Sequence, residues 1–251
     1  MTESHTPGSH TPGSHTPGSR TPRFSLVVPC YNEAASLPEL VLRARFTAEA
    51  GDGEVVLVDN GSTDDTPEVL ARLLDPADDR VRSIRVDPNR GYGWGITSGL
   101  AATRAPIVGW THADLQTDPA DALRAVAAME GAGRVLVKGR RYGRPLADRV
   151  FTAGMSVFET VLLRRRLSDI NAQPTMFPRE LMDSWGDPPL DFSLDLFALY
   201  TAAERGYEIR RVPVVFAPRR FGTSSWNVDL AAKRRFIKRT VDFSLALRKQ
   251  L

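Results

Sequence analysis

The sequence predicts an α/β fold, a mostly parallel sheet with helices on both faces. Three observations predict it. Short apolar, β-branched runs alternate with helical patterns from Arg23 onward, an order that parallel sheets require for their crossovers. The chain has 251 residues, 42% of them hydrophobic, enough for one substantial core and too few for two. Polar clusters follow each apolar run, at the strand ends where sheets of this kind bind ligands.

Residues 4 to 22 repeat Ser-His-Thr-Pro-Gly with a period of five and end in Ser-Arg-Thr-Pro. Such a tract buries too little to fold, so residues 1–22 are expected to be a disordered tail. Phe24 to Pro29 reads as a buried strand, and Ser36 with Glu39 as a capping box starting a helix through about Glu49. Glu54 to Asp59 is a second strand, Asp65-Thr66-Pro67-Glu68 opens a second helix, and Val81 to Asp87 is a third strand. A helix from about Gly93 to Thr103 leads to the Ile107–Thr111 strand. Asp118 before Pro119 opens a helix towards Glu130, and Val135 to Lys138 is a fifth strand. Val150 to Leu167 is a helix with a broad apolar face ending in Arg164, Arg165 and Arg166, and residues 229–251 form a basic amphipathic helix after a main domain spanning 23–228.

The net charge of +3 is mild and concentrated late, at 164–166, 219–220 and 233–235, which suits a phosphate-bearing or anionic-membrane partner better than a nucleic-acid groove. Cys30 is the only cysteine, so no intramolecular disulfide forms and a reducing compartment is expected. No apolar run approaches the roughly 18 residues of a spanning helix, and the N-terminus lacks a signal peptide's apolar core. A soluble or peripheral protein is expected.

Ile107 to Gln116 carries the densest chemistry. His112, Asp114 and Gln116 alternate, and in extended backbone they point the same way, so imidazole, carboxylate and amide oxygen are expected to converge on one cation. The other reading is a strand end gathering polar residues before a helix cap. Gly91-Tyr92-Gly93-Trp94-Gly95 permits close backbone approach to a phosphate, and tight helix–strand packing explains it equally well. A dinucleotide-binding domain fits poorly, because Pro29-Cys30-Tyr31-Asn32-Glu33-Ala34 contains no glycine after the first strand.

Taken together, VVPCYNE, VDNGSTD, NRGYGWG and HADLQ resemble the family 2 glycosyltransferases, from about Phe24 to the C-terminus. The resemblance implies a single-domain A-type glycosyltransferase fold and a donor that is a nucleotide-diphosphate sugar. It implies that Pro29, Tyr31 and Glu33 line the nucleoside site, that Asp59 holds base or ribose, and that Asp114 and Gln116 hold Mg²⁺ or Mn²⁺, to which the alternation above adds His112. KGRRYGRP, DINAQPTMF, DFSLD and FGTSSWN resemble the polyprenyl-phosphate group typified by dolichyl-phosphate mannose synthase, whose acceptor is a lipid monophosphate. By that resemblance Arg141 and Arg149 meet the acceptor phosphate, and Asn60, Asn89, Gly91, Gln173, Arg220 and Ser224 complete the substrate contacts. Arg219 shares the late loop with Arg220 and Ser224. Where this group carries a carboxylate, the chain has His112.

The implied chemistry is coherent on its own terms. A phosphate monoester keeps about 1.5 to 2 negative charges at neutral pH, so it attacks an anomeric carbon without a protein base. It needs cationic positioning, which a bidentate guanidinium supplies better than an ammonium. The expected function is therefore an inverting, metal-dependent transfer at the cytoplasmic membrane face, with Asp114 and Arg141 catalytic and Asp191 and Asp195 as further acidic residues near the sugar. One rival is transfer to a soluble hydroxyl acceptor with Asp191 as base. The other is a non-catalytic sugar-nucleotide-binding protein.

Overall fold

The computed structural model describes residues 21–143, 146–220 and 230–248, the side chains at 146–149, 151 and 230–236 excepted. The tail proposed for residues 1–22 falls almost wholly outside them. The first half runs β1 (Phe24–Cys30), α1 (Leu37–Gly51), β2 (Glu54–Asp59), α2 (Thr66–Leu73), β3 (Val81–Arg85), α3 (Tyr92–Ala101), β4 (Ile107–Trp110) and α4 (Asp121–Ala127). The second runs β5 (Val135–Tyr142), α5 (Leu146–Leu163), β6 (Thr175–Pro178), α6 (Arg179–Asp183), α7 (Leu194–Glu204), β7 (Glu208–Val215) and α8 (Leu230–Arg248).

Seven strands form one sheet in the order β3-β2-β1-β4-β6-β5-β7. Every pairing is parallel except those of β6, which runs antiparallel to β4 and β5. The expected mostly parallel sheet is therefore present, with one reversed strand that the sequence pattern did not reveal. From β1 the chain builds β2 and β3 on one side and then β4 on the other. The order reverses between β1 and β4, which puts the switch point where such sheets bind ligands at their carboxyl ends.

Side chains alternate along the strands, and both faces are buried. Leu26, Val28, Val55 and Leu57 pack with Leu37, Leu40, Val41 and Ala44 of α1 and with Ala122, Ala125 and Val126 of α4. Val27, Val56, Val58 and Trp110 pack on the other side against Ile96 and Leu100 of α3 and Leu194, Ala198 and Leu199 of α7. Each such aliphatic side chain, fully buried, contributes about 1.5–3 kcal/mol. Helix α8 lies on α5 and sends Leu247 into the second core.

Local readings need correction at several ends. Ser36 makes no side-chain cap to α1, because its hydroxyl donates to the backbone oxygen and Oε2 of Glu33, while Glu39 pairs with Arg43. The capping box is not formed. The helix after Pro119 begins at Asp121, since Asp118 folds its Oδ1 onto the Ala120 N–H in a tight turn. Strand β3 ends at Arg85, before Asp87-Pro88. Strand β5 runs on to Tyr142, so Arg141 lies within it.

Candidate active site

The carboxyl ends of β1, β2 and β4 supply the candidate site with most of its chemistry. Asp59 closes β2 and is nearly inaccessible. Its Oδ1 accepts the Ser62 N–H at 2.9 Å and its Oδ2 a bond from Arg85 Nη1 at 2.5 Å, which fixes the carboxylate's direction and balances its charge. The loops after β1 and β2 are stitched together. Asn32 N donates to Ser62 Oγ, and Asn32 Oδ1 accepts from the Thr63 N–H. Tyr31 is left exposed at the rim. Burial raises the Glu33 carboxyl above the ordinary range; Ser36 and Arg219 pull it down, while Asp114 and Asp64 push it up. Around Glu33, Asp114 and Asp64 repel its charge, with the Arg219 guanidinium among them.

Strand β4 stops at Trp110, and Leu115 takes a left-handed φ of 57°. The backbone therefore turns where extended geometry was expected, and His112, Asp114 and Gln116 go to different partners. Nε2 of His112 lies 3.0 Å from the Tyr92 hydroxyl, with the two rings edge to face. Asp114 Oδ2 accepts from Arg219 Nη2 at 2.7 Å, and its Oδ1 from the Gln116 N–H at 3.1 Å. Gln116 Nε2 donates to the Ala217 carbonyl. Convergence of the three by strand alternation is overturned, and among the described residues no three His, Cys, Asp or Glu side chains gather as metal ligands.

A divalent cation nonetheless fits the donor set. Asp114 is a buried carboxylate whose outward oxygen already holds a cationic group, the Arg219 guanidinium, and Glu33 and Asp64 add negative field. Magnesium commonly binds through one or two carboxylates with the rest of its sphere from water and substrate phosphates. The ring nitrogen of His112 that faces Tyr92 is occupied, which leaves Nδ1 for any ligand.

Beneath the site lies an ion pair that sequence reasoning missed. Lys138 is fully buried, and its Nζ donates to Thr175 Oγ1 at 2.6 Å and to Asp195 Oδ1 at 3.0 Å. Gln173 Nε2 also donates to that Asp195 oxygen at 2.7 Å, and the Tyr92 hydroxyl to the other at 3.3 Å. Burial lowers the lysine's pKa and the Asp195 charge opposes it. Two expectations change. Gln173 is buried below the site and supports it without lining it, and Asp195 is saturated by its neighbours and is not turned towards a sugar. Asp191 accepts the Ser193 N–H at 2.8 Å and faces Arg239 at 3.5 Å.

The glycines before α3 serve packing. A Cβ on Gly91 would lie 2.5 Å from the Leu190 carbonyl oxygen, and one on Gly93 2.4 Å from that of Pro189. The Trp94 N–H donates to Leu190 as well. The helix start is thus taken by the 189–191 segment, and the phosphate-cradle reading gives way to close backbone approach. Asn89 turns its Oδ1 onto the Gly91 N–H, and Asn60 Nδ2 donates to the Gly91 carbonyl.

Arg141, expected at the acceptor phosphate, already has a carboxylate. Its Nε donates to Asp169 Oδ1 at 2.8 Å, its Nη2 shares that oxygen, and its backbone N–H donates to Oδ2. Burial alone would raise the Asp169 carboxyl, and Arg141 beside it holds it below the usual range. Arg211 behind them is brought down to about 10 by burial, against the pull of Asp169. The guanidinium of Arg141 lies over the Phe216 ring. Arg220 reaches Glu39 at 3.2 Å on the surface. Ser224 and the side chain of Arg149 lie outside the described residues.

Comparison with known proteins places this geometry. Residues 25–194 match the family model described as glycosyl transferase family 2. An uncharacterized glycosyltransferase of Mycobacterium tuberculosis is 33% identical over 207 residues, 80% of this chain and 88% of its own. The undecaprenyl-phosphate 4-deoxy-4-formamido-L-arabinose transferase of Salmonella newport is 28% identical over 82% of this chain and 63% of its own. Among solved structures, glucosyl-3-phosphoglycerate synthase from M. tuberculosis, in complex with Mn²⁺, uridine diphosphate and phosphoglyceric acid, superposes with a TM-score of 0.70 at 20% identity, covering 90% of this chain and 78% of that one. A mannosyltransferase from Pyrobaculum calidifontis, in complex with GDP-Man and Mn²⁺, gives 0.60 at 24% identity over 80% and 59%. At these identities the structures establish a shared fold.

Proposed function

The chain belongs to glycosyl transferase family 2, and we propose that it moves one sugar from a nucleoside diphosphate to the phosphate of a polyprenyl phosphate, inverting the anomeric centre. As a glycosyltransferase it needs a nucleophile, and the state of its carboxylates carries this reading. Asp195 is locked to Lys138 and Gln173, and Asp191 is turned to the Ser193 N–H and Arg239. Asp195 is buried under those contacts, and Asp191 would have to give up Arg239 to act on a hydroxyl acceptor. A lipid phosphate arrives ionised and requires no base. The relatives that act on undecaprenyl phosphate support the same acceptor class.

On the donor side, Pro29, Tyr31 and the Asp59–Arg85 pair hold the nucleoside. Asp114 would hold Mg²⁺ or Mn²⁺ together with the diphosphate, and His112 and Gln116 stand beside it on the same turn. The ion neutralises the departing diphosphate when bound. Tyr92, anchored to Asp195, keeps the imidazole of His112 in place. Arg219, which rests on Asp114, turns to the diphosphate. Arg141, stiffened by Asp169 and Phe216, presents the edge of its guanidinium to the acceptor phosphate, and Arg149 assists it. No helix among the described residues is long and apolar enough to cross a membrane; in this reading the lipid is met peripherally, at the cytoplasmic face.

Arg141→Ala tests the acceptor assignment. Loss of a charge-assisted bidentate contact costs about 1.5–3 kcal/mol, so KM for the lipid phosphate rises at least tenfold while donor affinity holds. An equal loss of donor affinity would move Arg141 to the diphosphate.

A further inference from the structure

Among the described residues, helix α5 has an exposed apolar face. Ser156, Glu159 and Leu163 point inward and are buried, whereas Val150, Val157 and Val161 are 64%, 63% and 74% exposed. These positions, with Gly154, recur at the spacing of a single helical face. Phe158 borders the stripe, and Leu245 of α8 is exposed too. Single exposed apolar residues are ordinary, but an aligned row on one helix marks a surface that something covers.

Charge at the end of the row identifies the occupant. Leu162, Leu163, Arg164 and Arg165 join Glu204 and Arg248 around a concavity of about 460 Å³. Arg165 is paired with Glu204. Among the described residues neither Arg164 nor Arg248 has a carboxylate in ion-pair range, and both are exposed, as is Arg166 beside them. Among the described residues the concavity therefore holds three arginines against the one carboxylate of Glu204, a cationic cup at the foot of an apolar stripe. A protein partner or a second copy of the chain would have to supply acidic groups and apolar groups in that same order. A bilayer presents them together, phosphates outside and acyl chains beneath, and arginine stems span that boundary.

We propose that this cup seats the phosphate of an anionic lipid headgroup and that the Val150–Val161 face of α5 lies in the headgroup layer. The inference deepens the membrane partner in the proposed function and rests on no step of the transfer. Strand β5 ends at Tyr142 and α5 begins at Leu146, so the stripe starts within a few residues of the acceptor-side strand and leads along the membrane.

Co-sedimentation of the full chain with phosphatidylcholine vesicles, with and without phosphatidylglycerol, tests this in the absence of any donor or acceptor. The chain is expected to bind the anionic vesicles, and Arg164→Ala with Arg248→Ala to weaken binding on the order of 25-fold, about fivefold for each arginine. Val157→Asp weakens it as well, while inorganic phosphate competes poorly because it offers no apolar layer. Unchanged melting temperatures show that these surface variants fold. Binding that is equal on neutral vesicles, or unaltered in the double variant, overturns the proposal. Tight binding of inorganic phosphate without vesicle binding also overturns it and marks a free-anion site. Because no turnover is measured, a wrong acceptor class leaves these outcomes unmoved.

Discussion

Arg219 sits on Asp114 across 105 residues of sequence, with 2.7 Å between Nη2 and Oδ2, so the outward oxygen of the one buried carboxylate at the end of β4 is held by a guanidinium. Any cation that Asp114 binds competes with that contact.

Arg219→Ala is accordingly expected to tighten Mn²⁺ binding in the absence of nucleotide. A partly exposed ion pair contributes up to about 1 kcal/mol, so the gain is about fivefold by titration calorimetry. Asp114→Asn should bind no ion at all. An Arg219→Ala protein with unaltered Mn²⁺ affinity would place the metal elsewhere.

His112 stands where the resemblance implies a carboxylate. Imidazole suits transition metals, whereas magnesium prefers an all-oxygen sphere. His112→Asp is expected to raise Mg²⁺-supported turnover relative to Mn²⁺-supported turnover on the order of tenfold. Activation curves for both ions decide it, and an unchanged ratio would confine His112 to its contact with Tyr92.

Glu159 gives a pH dependence of stability with a definite sign. It is fully buried between α5 and α8, and burial raises its pKa while the Ser244 hydroxyl beside it lowers it. A carboxyl raised in the folded state contributes stability that is fully present below its unfolded value, near about 4.3, and is lost as pH rises through the folded value. Melting temperature should fall over that window, and Glu159→Gln should flatten the fall, with about 2–4 °C gained per kcal/mol recovered. A wild-type curve parallel to that of Glu159→Gln would show that the carboxyl does not titrate differently on folding.

What the sequence made legible follows from where the signal lies. β1 and β2 are carried by the short apolar runs Leu26–Pro29 and Val55–Val58, and their limits fall within one residue of the sequence reading. β6 was missed because Thr175–Pro178 is short and holds only Met176 and Phe177 between Thr175 and Pro178, and β7 because Arg210, Arg211 and Pro213 interrupt its apolar pattern. Lys138 looks like a surface lysine at a strand end. Its burial depends on Asp195, 57 residues on, and no periodicity encodes such a pair. The contacts of Arg141 with Asp169 and of Arg219 with Asp114 are equally non-local. Local reasoning failed at His112 for a different cause. Alternation holds only while the strand continues, and β4 stops at Trp110. Tertiary structure decided which of the residues singled out by the motifs face one another.

The central claim is that an ionised lipid phosphate is the nucleophile. Transfer from a panel of nucleotide sugars should be measured in parallel to a polyprenyl phosphate, to the matching polyprenol and to soluble sugar alcohols, with the anomeric configuration of the product determined. The account predicts product with the phosphate alone, its configuration opposite to the donor's. Comparable or faster transfer to the polyprenol or a soluble hydroxyl would contradict it, because a protein base would then have to act where Asp191 and Asp195 are both engaged.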